Sequence, residues 1–183
     1  MSLDKKIMYG LENIHVAKLT NGTYATPVAI EGAKSVEASF AYESNSIFAD
    51  NRNVYTVNGF AGGEGTLGIL SLSADEYQLL FGHTKIGDEG YISKSTDIAP
   101  AVALGFSRRR ADGKSQAYWI YNVKFKPTTL SATTMEEGKI EEDVLELEFS
   151  IMETPDNKIF YTNVLGEDFF ESVTTNPTAP VGK

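Results

Sequence analysis

Apolar residues in this chain recur mostly at every second position. Over residues 144–151, Leu145, Leu147, Phe149 and Ile151 point one way, while Glu146, Glu148 and Ser150 point the other. Period-two alternation marks a strand with one buried face. Residues 33–42 repeat it, with Val36, Ala38, Phe40 and Tyr42 opposed to Glu37, Ser39, Ala41 and Glu43. In the segment 118–126 the same reading places Trp119, Tyr121, Val123 and Phe125 on one face and Tyr118, Ile120, Asn122, Lys124 and Lys126 on the other. Residues 66–72 are strand-like with Leu67 and Ile69 opposed to Leu70 and Leu72, so both faces are expected to be at least partly covered. Shorter strands are expected at 14–19, 27–30, 53–57 and 158–164.

Residues 102–109 run through Ala111-Asp112-Gly113-Lys114 into the Tyr/Trp strand. Asp-Gly between two such runs predicts a hairpin closed by a primed turn, whose central residues need positive φ. One helix interrupts the strands. Ser73 and Glu76 have capping-box spacing, Tyr77, Leu80 and Phe81 share a face, and Gly82 is placed to stop it. A helix of about two turns, 74–81, does not persist alone and must pack on a sheet. The pattern therefore predicts a mainly β fold: an antiparallel β-sandwich or barrel with one short flanking helix. A single domain over 1–173 is expected, with excursions at 45–63 and 131–143 and a patternless, disordered tail at 174–183.

Composition narrows the function. The 183 residues are 42% hydrophobic, enough for a core, and carry a formal net charge of −9. Gripping nucleic acid needs Lys and Arg against phosphate, so an acidic chain suits a surface that must not adhere to DNA. Cysteine is absent, which excludes disulfides, thiolate metal sites and cysteine nucleophiles. The opening residues show no apolar stretch of signal-peptide or membrane-span type, so folding in a cytoplasm is expected.

Little in the sequence carries catalytic chemistry. His15 and His83 are far apart and neither has a second ligand at metal spacing, so no metal and no cofactor is expected. The run Gly59-Phe60-Ala61-Gly62-Gly63-Glu64-Gly65 lacks the Lys-Ser/Thr ending of a phosphate loop and precedes a strand, which makes it a hinge or bulge. Arg108-Arg109-Arg110 is the one basic cluster and reads as a charged hairpin end that pairs with acidic neighbours or another subunit. Glu136/Glu137 and Glu141/Glu142 lie in a polar stretch without aromatic sugar platforms, which favours an acidic surface over a glycosidase pair. A sugar-binding β-sandwich would need exposed aromatics in a groove, whereas the aromatic strand alternates as a core strand does.

An ordered set of short motifs spans roughly residues 7–165. It begins with Tyr9-Gly10-Leu11-Glu12-Asn13-Ile14-His15-Val16-Ala17, Tyr24-Ala25-Thr26-Pro27-Val28 and Glu31-Gly32-Ala33-Lys34-Ser35-Val36. Phe48-Ala49-Asp50-Asn51, Gly62-Gly63-Glu64-Gly65-Thr66-Leu67, the capped helix, Tyr118-Trp119-Ile120-Tyr121 and Leu145-Glu146-Leu147 follow. This layout resembles the major tail protein (tail tube protein) family of long, non-contractile-tailed phages and prophages of Gram-positive bacteria. The resemblance implies a non-enzymatic virion protein, assembled in the host cytoplasm. Its partners would be copies of itself in hexameric rings that stack into a hollow tube, a tape measure protein, a tail terminator and distal tail proteins. DNA would pass through without adhering, and no membrane is involved. The alternatives are a tube or tail-end component of another phage-derived injection device and, further off, a carbohydrate-binding β-sandwich.

On this reading the residues divide into three groups. Glu37, Ser39, Glu146 and Glu148 are candidates to face the lumen. Phe48, Asp50, Asn51, Tyr55, Phe60, Arg108, Arg109, Arg110, Met135, Glu136 and Glu137 are candidates for contacts between subunits or rings. Val36, Phe40, Tyr77, Leu80, Trp119, Tyr121, Phe125, Leu145, Leu147 and Phe149 are expected in the core.

Overall fold

The structure, a computed structural model, describes residues 3–127 and 143–165. The fold is mainly antiparallel β with a single short helix among those residues. A 3-10 turn, Leu3–Lys5, leads into β1 (Met8–Thr20), β2 (Thr23–Tyr24), β3 (Val28–Ala29), β4 (Ala33–Ala49) and β5 (Arg52–Ile69). After α1 (Ala74–Phe81) come β6 (Thr84–Ile86), β7 (Gly90–Ile92), β8 (Val102–Arg110), β9 (Ser115–Phe125), β10 (Leu145–Ile151) and β11 (Phe160–Leu165). One sheet runs in the order β2-β1-β8-β9-β10-β5-β4, with β3 also on β1 and β11 also on β9; β6 and β7 form a separate hairpin.

The sheet curls around one main core. Ile14 and Val16 of β1, Leu67 and Ile69 of β5, Val102 and Leu104 of β8, and Leu147, Phe149 and Ile151 of β10 meet there. Val36, Ala38 and Phe40 of β4 close over it, half-buried. Glycine in β5 makes the packing possible. A Cβ at Gly65 would fall onto the Phe149 ring and the Glu37 carbonyl, so the glycine lets that ring lie flat on the strand.

The helix forms as its local chemistry dictates. The Ser73 amide donates to Glu76 Oε2 at 2.7 Å, the Glu76 amide donates to Ser73 Oγ at 3.3 Å, and Gly82 ends the helix at φ 75°. Ala74, Leu80 and Phe81 are buried, and Phe81 meets Phe125 edge-on at 6.2 Å. Tyr77 sits at the core margin and stacks on Tyr91 of β7 at 4.0 Å.

The aromatic strand departs from its expected pattern. Val102 pairs with Val123 but Leu104 pairs with Ile120, so β9 carries one extra residue between those pairs. The bulge reverses which face the alternating residues occupy. Val123 and Phe125 join the main core with Ile120, whereas Trp119 and Tyr121 turn to the other face. There they form a second cluster with Ala17 and Ala103, flanked by Tyr24 and Tyr161. The four aromatic-strand residues thus do not share a face.

One further expectation is corrected. Among the central residues of the β8–β9 turn only Gly113 has positive φ, at 80°, and Asp112 does not, so that turn is not a primed one. Two left-handed residues occur instead at Asp50 (φ 49°) and Asn51 (φ 59°), where they join β4 to β5. The expected excursion at 45–63 takes the form of a hairpin, the outer part of β4 and β5. Leu70 lies past the end of β5 and is 44% exposed, while Leu72 packs half-buried against the main core. Residues 131–142 and the tail 174–183 lie outside the described residues.

Two measurements test this packing. Gly65→Ala is expected to lower unfolding stability by about 1–3 kcal/mol, the usual cost of overpacking, read as a lower urea midpoint at unchanged slope. Burial pushes the Tyr24 phenol up to about 12, helped by Asp156, and the Tyr121 phenol up to about 12, helped by Tyr24 and Tyr161. The neutral forms are therefore favoured in the folded state. Their stabilisation is complete below the ordinary value of 10.0 and is lost as pH rises from there toward about 12. Tyr24→Phe, which removes one of these ionisations, is expected to reduce the alkaline loss of stability in a urea titration at stepped pH.

Candidate assembly surfaces

The outward faces of β4, β5 and β10 form one polar surface. Pairing across the three strands sets Glu37 beside Thr66 and Thr66 beside Glu148. The next row runs Ser39, Glu64, Ser150, and Lys124 of β9 continues it. Glu146 follows beside Gly68. All four residues expected to face a lumen, Glu37, Ser39, Glu146 and Glu148, are exposed and lie on this face. Sequence reasoning missed Glu64, although its alternation with Thr66 against the buried Leu67 and Ile69 was there to be read. It also missed Lys126, whose Nζ bridges Glu148 Oε2 at 3.2 Å and Glu64 Oε1 at 3.6 Å. The hydrogen bond to Glu148, with the Glu64 charge beside it, raises the Lys126 pKa above its ordinary value. Glutamates still outnumber lysines on the face.

Beyond residue 42 the β4–β5 hairpin leaves the core and becomes a two-stranded arm. Its two faces differ in kind. On one, Ser44 Oγ donates to Asn58 Oδ1, Ser46 and Thr56 hydroxyls meet at 3.1 Å, and Asn53 Nδ2 donates to Thr56 Oγ1 at 2.9 Å. This polar ladder satisfies itself. On the other face Ile47 pairs with Tyr55 and Asn45 with Val57. Ile47 and Tyr55 are each 60% exposed, and Phe48 near the tip is 69% exposed. A two-stranded ribbon is marginal alone, and no described residue covers the apolar face of this one.

The remaining contact candidates separate. Asp50 and Asn51 form the tip of the arm, and Phe48 and Tyr55 lie on it. Phe60 lies at the root of the arm, half-buried at the main core's edge, where it meets Tyr42 at 5.7 Å. Arg110 is buried and folds back onto Asp112 at 2.7 Å, while Arg109 Nε reaches Glu12 at 2.7 Å. These two arginines pair with acidic neighbours of their own chain. Arg108 is exposed beside Gln116. Met135, Glu136 and Glu137 lie outside the described residues. Of the expected core, Leu80, Phe125, Leu147 and Phe149 are buried in the main cluster, and Val36, Phe40, Tyr77 and Leu145 are half-buried against it. Trp119 and Tyr121 are buried in the second cluster instead.

A cleft of about 740 Å³ lies beside the helix, lined by Leu72, Tyr77, His83, Tyr91 and by Asp143, Glu146 and Glu148. His83 Nδ1 lies 2.9 Å from Asp97 Oδ2, and its ring stacks on Tyr91 at 5.4 Å. The Lys94 amide and then His83 hold the Asp97 carboxyl below its ordinary pKa. His15 Nδ1 faces the Asn13 carbonyl at 3.0 Å. Among the described residues no group of three or more His, Cys, Asp or Glu could hold a metal ion, and no helix is long and apolar enough to cross a membrane. No protein-family model matches the chain, and no curated protein matches it in sequence.

The lysine bridge gives a direct test of the acidic face. Lys126→Gln removes the cation that bridges Glu64 and Glu148. The urea midpoint is expected to fall at low ionic strength, and the difference from wild type to vanish in high salt, where exposed charges are screened.

Proposed function

We propose that this chain is a structural virion protein: the major tail subunit that forms the tail tube of a long-tailed phage or prophage. One observation carries the reading. A single sheet presents a carboxylate-rich face on β4, β5 and β10, and the first two of those strands run on into an arm whose apolar face none of the described residues covers. The ordered motif layout supports the same family. A protein built this way acts through surfaces, with no catalytic residue and no cofactor.

In the proposed tube, six copies form a ring and rings stack. Sheets meeting edge to edge close a barrel and hide strand edges that would otherwise invite aggregation. The acidic face lines the bore. Duplex DNA carries one negative charge per about 1.7 Å of axis, and at physiological salt repulsion reaches about 8 Å, so wall carboxylates act only on DNA that drifts close. The wall then repels without gripping, and the genome slides. Tape measure, terminator and distal tail proteins are the partners the family layout implies. A tube or tail-end component of another phage-derived injection device uses the same two surfaces and is the nearest alternative.

A second reading has one observation in its favour. Tyr77, Tyr91 and His83 beside Glu146 and Glu148 line a cleft of the kind that holds a sugar. Binding on a glycan panel, abolished by Tyr91→Ala, would favour it over the tube.

Two outcomes are expected of the tube. Concentrated purified protein, or protein given tail nucleators, forms rings or tubes by electron microscopy; an invariant monomer under both conditions overturns the proposal. Glu37→Lys combined with Glu148→Lys slows DNA ejection from assembled particles and leaves tube assembly intact. Blocked assembly would instead place these residues at an interface.

A further inference from the structure

The curled sheet leaves an apolar groove of about 310 Å³ at its open seam. Val36, Ala38 and Phe40 of β4 form one wall, and Phe106 and Tyr118 stand across from them. Phe160 lies at the side, stacked on Phe40 at 5.0 Å, while Phe106 stacks on Tyr118 at 5.0 Å. The groove is almost wholly nonpolar, and Phe160 is 47% exposed in it. A ready-made occupant of the same character exists elsewhere in the chain: the arm face bearing Ile47, Tyr55 and Val57.

A chain's own arm does not reach its own groove. Phe40 is in the groove wall and the arm begins at residue 42 of the same strand, so the arm leads away from the groove. From residue 42 to the turn the strand rises about 3.3 Å per residue, which carries the tip roughly 25 Å off. The apolar side chains of the arm also point to the opposite face of the ribbon from Phe40. Residues 43, 45 and 47 continue the outward row of Glu37 and Ser39, whereas Val36, Ala38 and Phe40 point to the core. The charges fit as well. Arg108 is exposed on β8, two residues beyond the groove residue Phe106 and on the same side of the strand, and the arm carries Glu43 on its apolar face and Asp50 at its tip.

We infer that the arm of one copy seats its Ile47/Tyr55 face in the Phe40/Phe106/Tyr118/Phe160 groove of the next copy, with Arg108 at the rim facing the arm's carboxylates. Arm and groove are different patches, so the contact is heterologous. One arm in one groove leaves a free groove and a free arm at the two ends, so the contact propagates around a ring or along a filament wherever two copies do not exchange arms reciprocally. The inference rests on the proposed self-assembling reading and specifies which surfaces meet.

Because the chain has no cysteine, single cysteines report the contact without background. Full-length Tyr55→Cys and Phe160→Cys proteins are mixed under assembly conditions, oxidised and run on a non-reducing gel, with electron microscopy of the same samples. Ala38→Cys serves as a second groove position if Phe160→Cys fails to fold. The expected result is a Tyr55→Cys/Phe160→Cys mixed dimer several-fold more abundant than either homodimer, a ladder of higher multimers from the double variant, and loss of the mixed dimer with Arg108→Glu. Rings or tubes without the mixed dimer overturn the arm-in-groove contact and leave the tube standing. Efficient cross-linking of Phe160→Cys to Phe170→Cys within one chain also overturns it, because the groove would then belong to the chain's own C-terminal segment. Absence of any assembly overturns this contact and the tube together.

Discussion

The sheet is one piece because of a three-pair ladder. Strand β10 meets β9 only at Phe149 with Phe125, Ser150 with Lys124 and Ile151 with Val123. Backbone bonds from Lys126 to Glu148 and from Met152 to Asn122, at 2.8 and 2.9 Å, extend it slightly. On one side of this joint lie β1, β8 and the start of β9; on the other lie β5 and β4 with the arm. So short a ladder does not hold two half-sheets in register by hydrogen bonds alone, since each contributes only about 1 kcal/mol net. Packing does the rest. Phe125 and Phe149 meet edge-on at 5.5 Å directly under the joint, and both are buried.

That joint explains why β9 needs its bulge. The first half of β9 pairs with β11 and the second half with β10, so the strand changes partner midway. The extra residue comes at the change. It turns Trp119 and Tyr121 outward to a small second cluster and keeps Val123 and Phe125 inward over the joint. One inserted residue thus serves two cores, and the sheet curls instead of lying flat.

What could be read in the sequence follows from how local each signal is. The helix was legible because Ser73, Glu76 and Gly82 act within a turn of one another. The β10 strand was legible because its glutamates and apolar residues alternate without exception. The β9 bulge was not, because Trp119, Ile120 and Tyr121 are all buried and the apolar run hides the change of face. The excursion at 45–63 was legible from its Asn-, Gly- and Ala-rich composition, but its full-length strand pairing was not, because its Ser, Asn and Thr side chains bond to one another across the strands and leave no alternating apolar signal. The outward position of Glu37 and Glu148 could be inferred strand by strand. Their union on one surface could not, because it depends on β10 lying next to β5, a pairing between residues far apart in the chain.

The same non-local pairing links the two proposed surfaces. Strands β4 and β5 carry the acidic face along their inner length and the apolar arm face along their outer length, on the same side of the ribbon. If that side faces a bore near the core, it must face another copy where the ribbon projects, because exposed Ile47 and Tyr55 do not suit a wall passed by DNA. On the proposed reading the ribbon leaves the wall of its own ring. The register shift between Ala41 and Tyr42, with Gly62 at φ 120°, stands where the sheet becomes the arm. A bulge bends and twists a strand pair, so this one sets the direction the arm takes. On the proposed reading, the glycine cluster at 59–65 has two tasks: Gly65 admits the Phe149 ring that secures the joint, and Gly62 aims the arm.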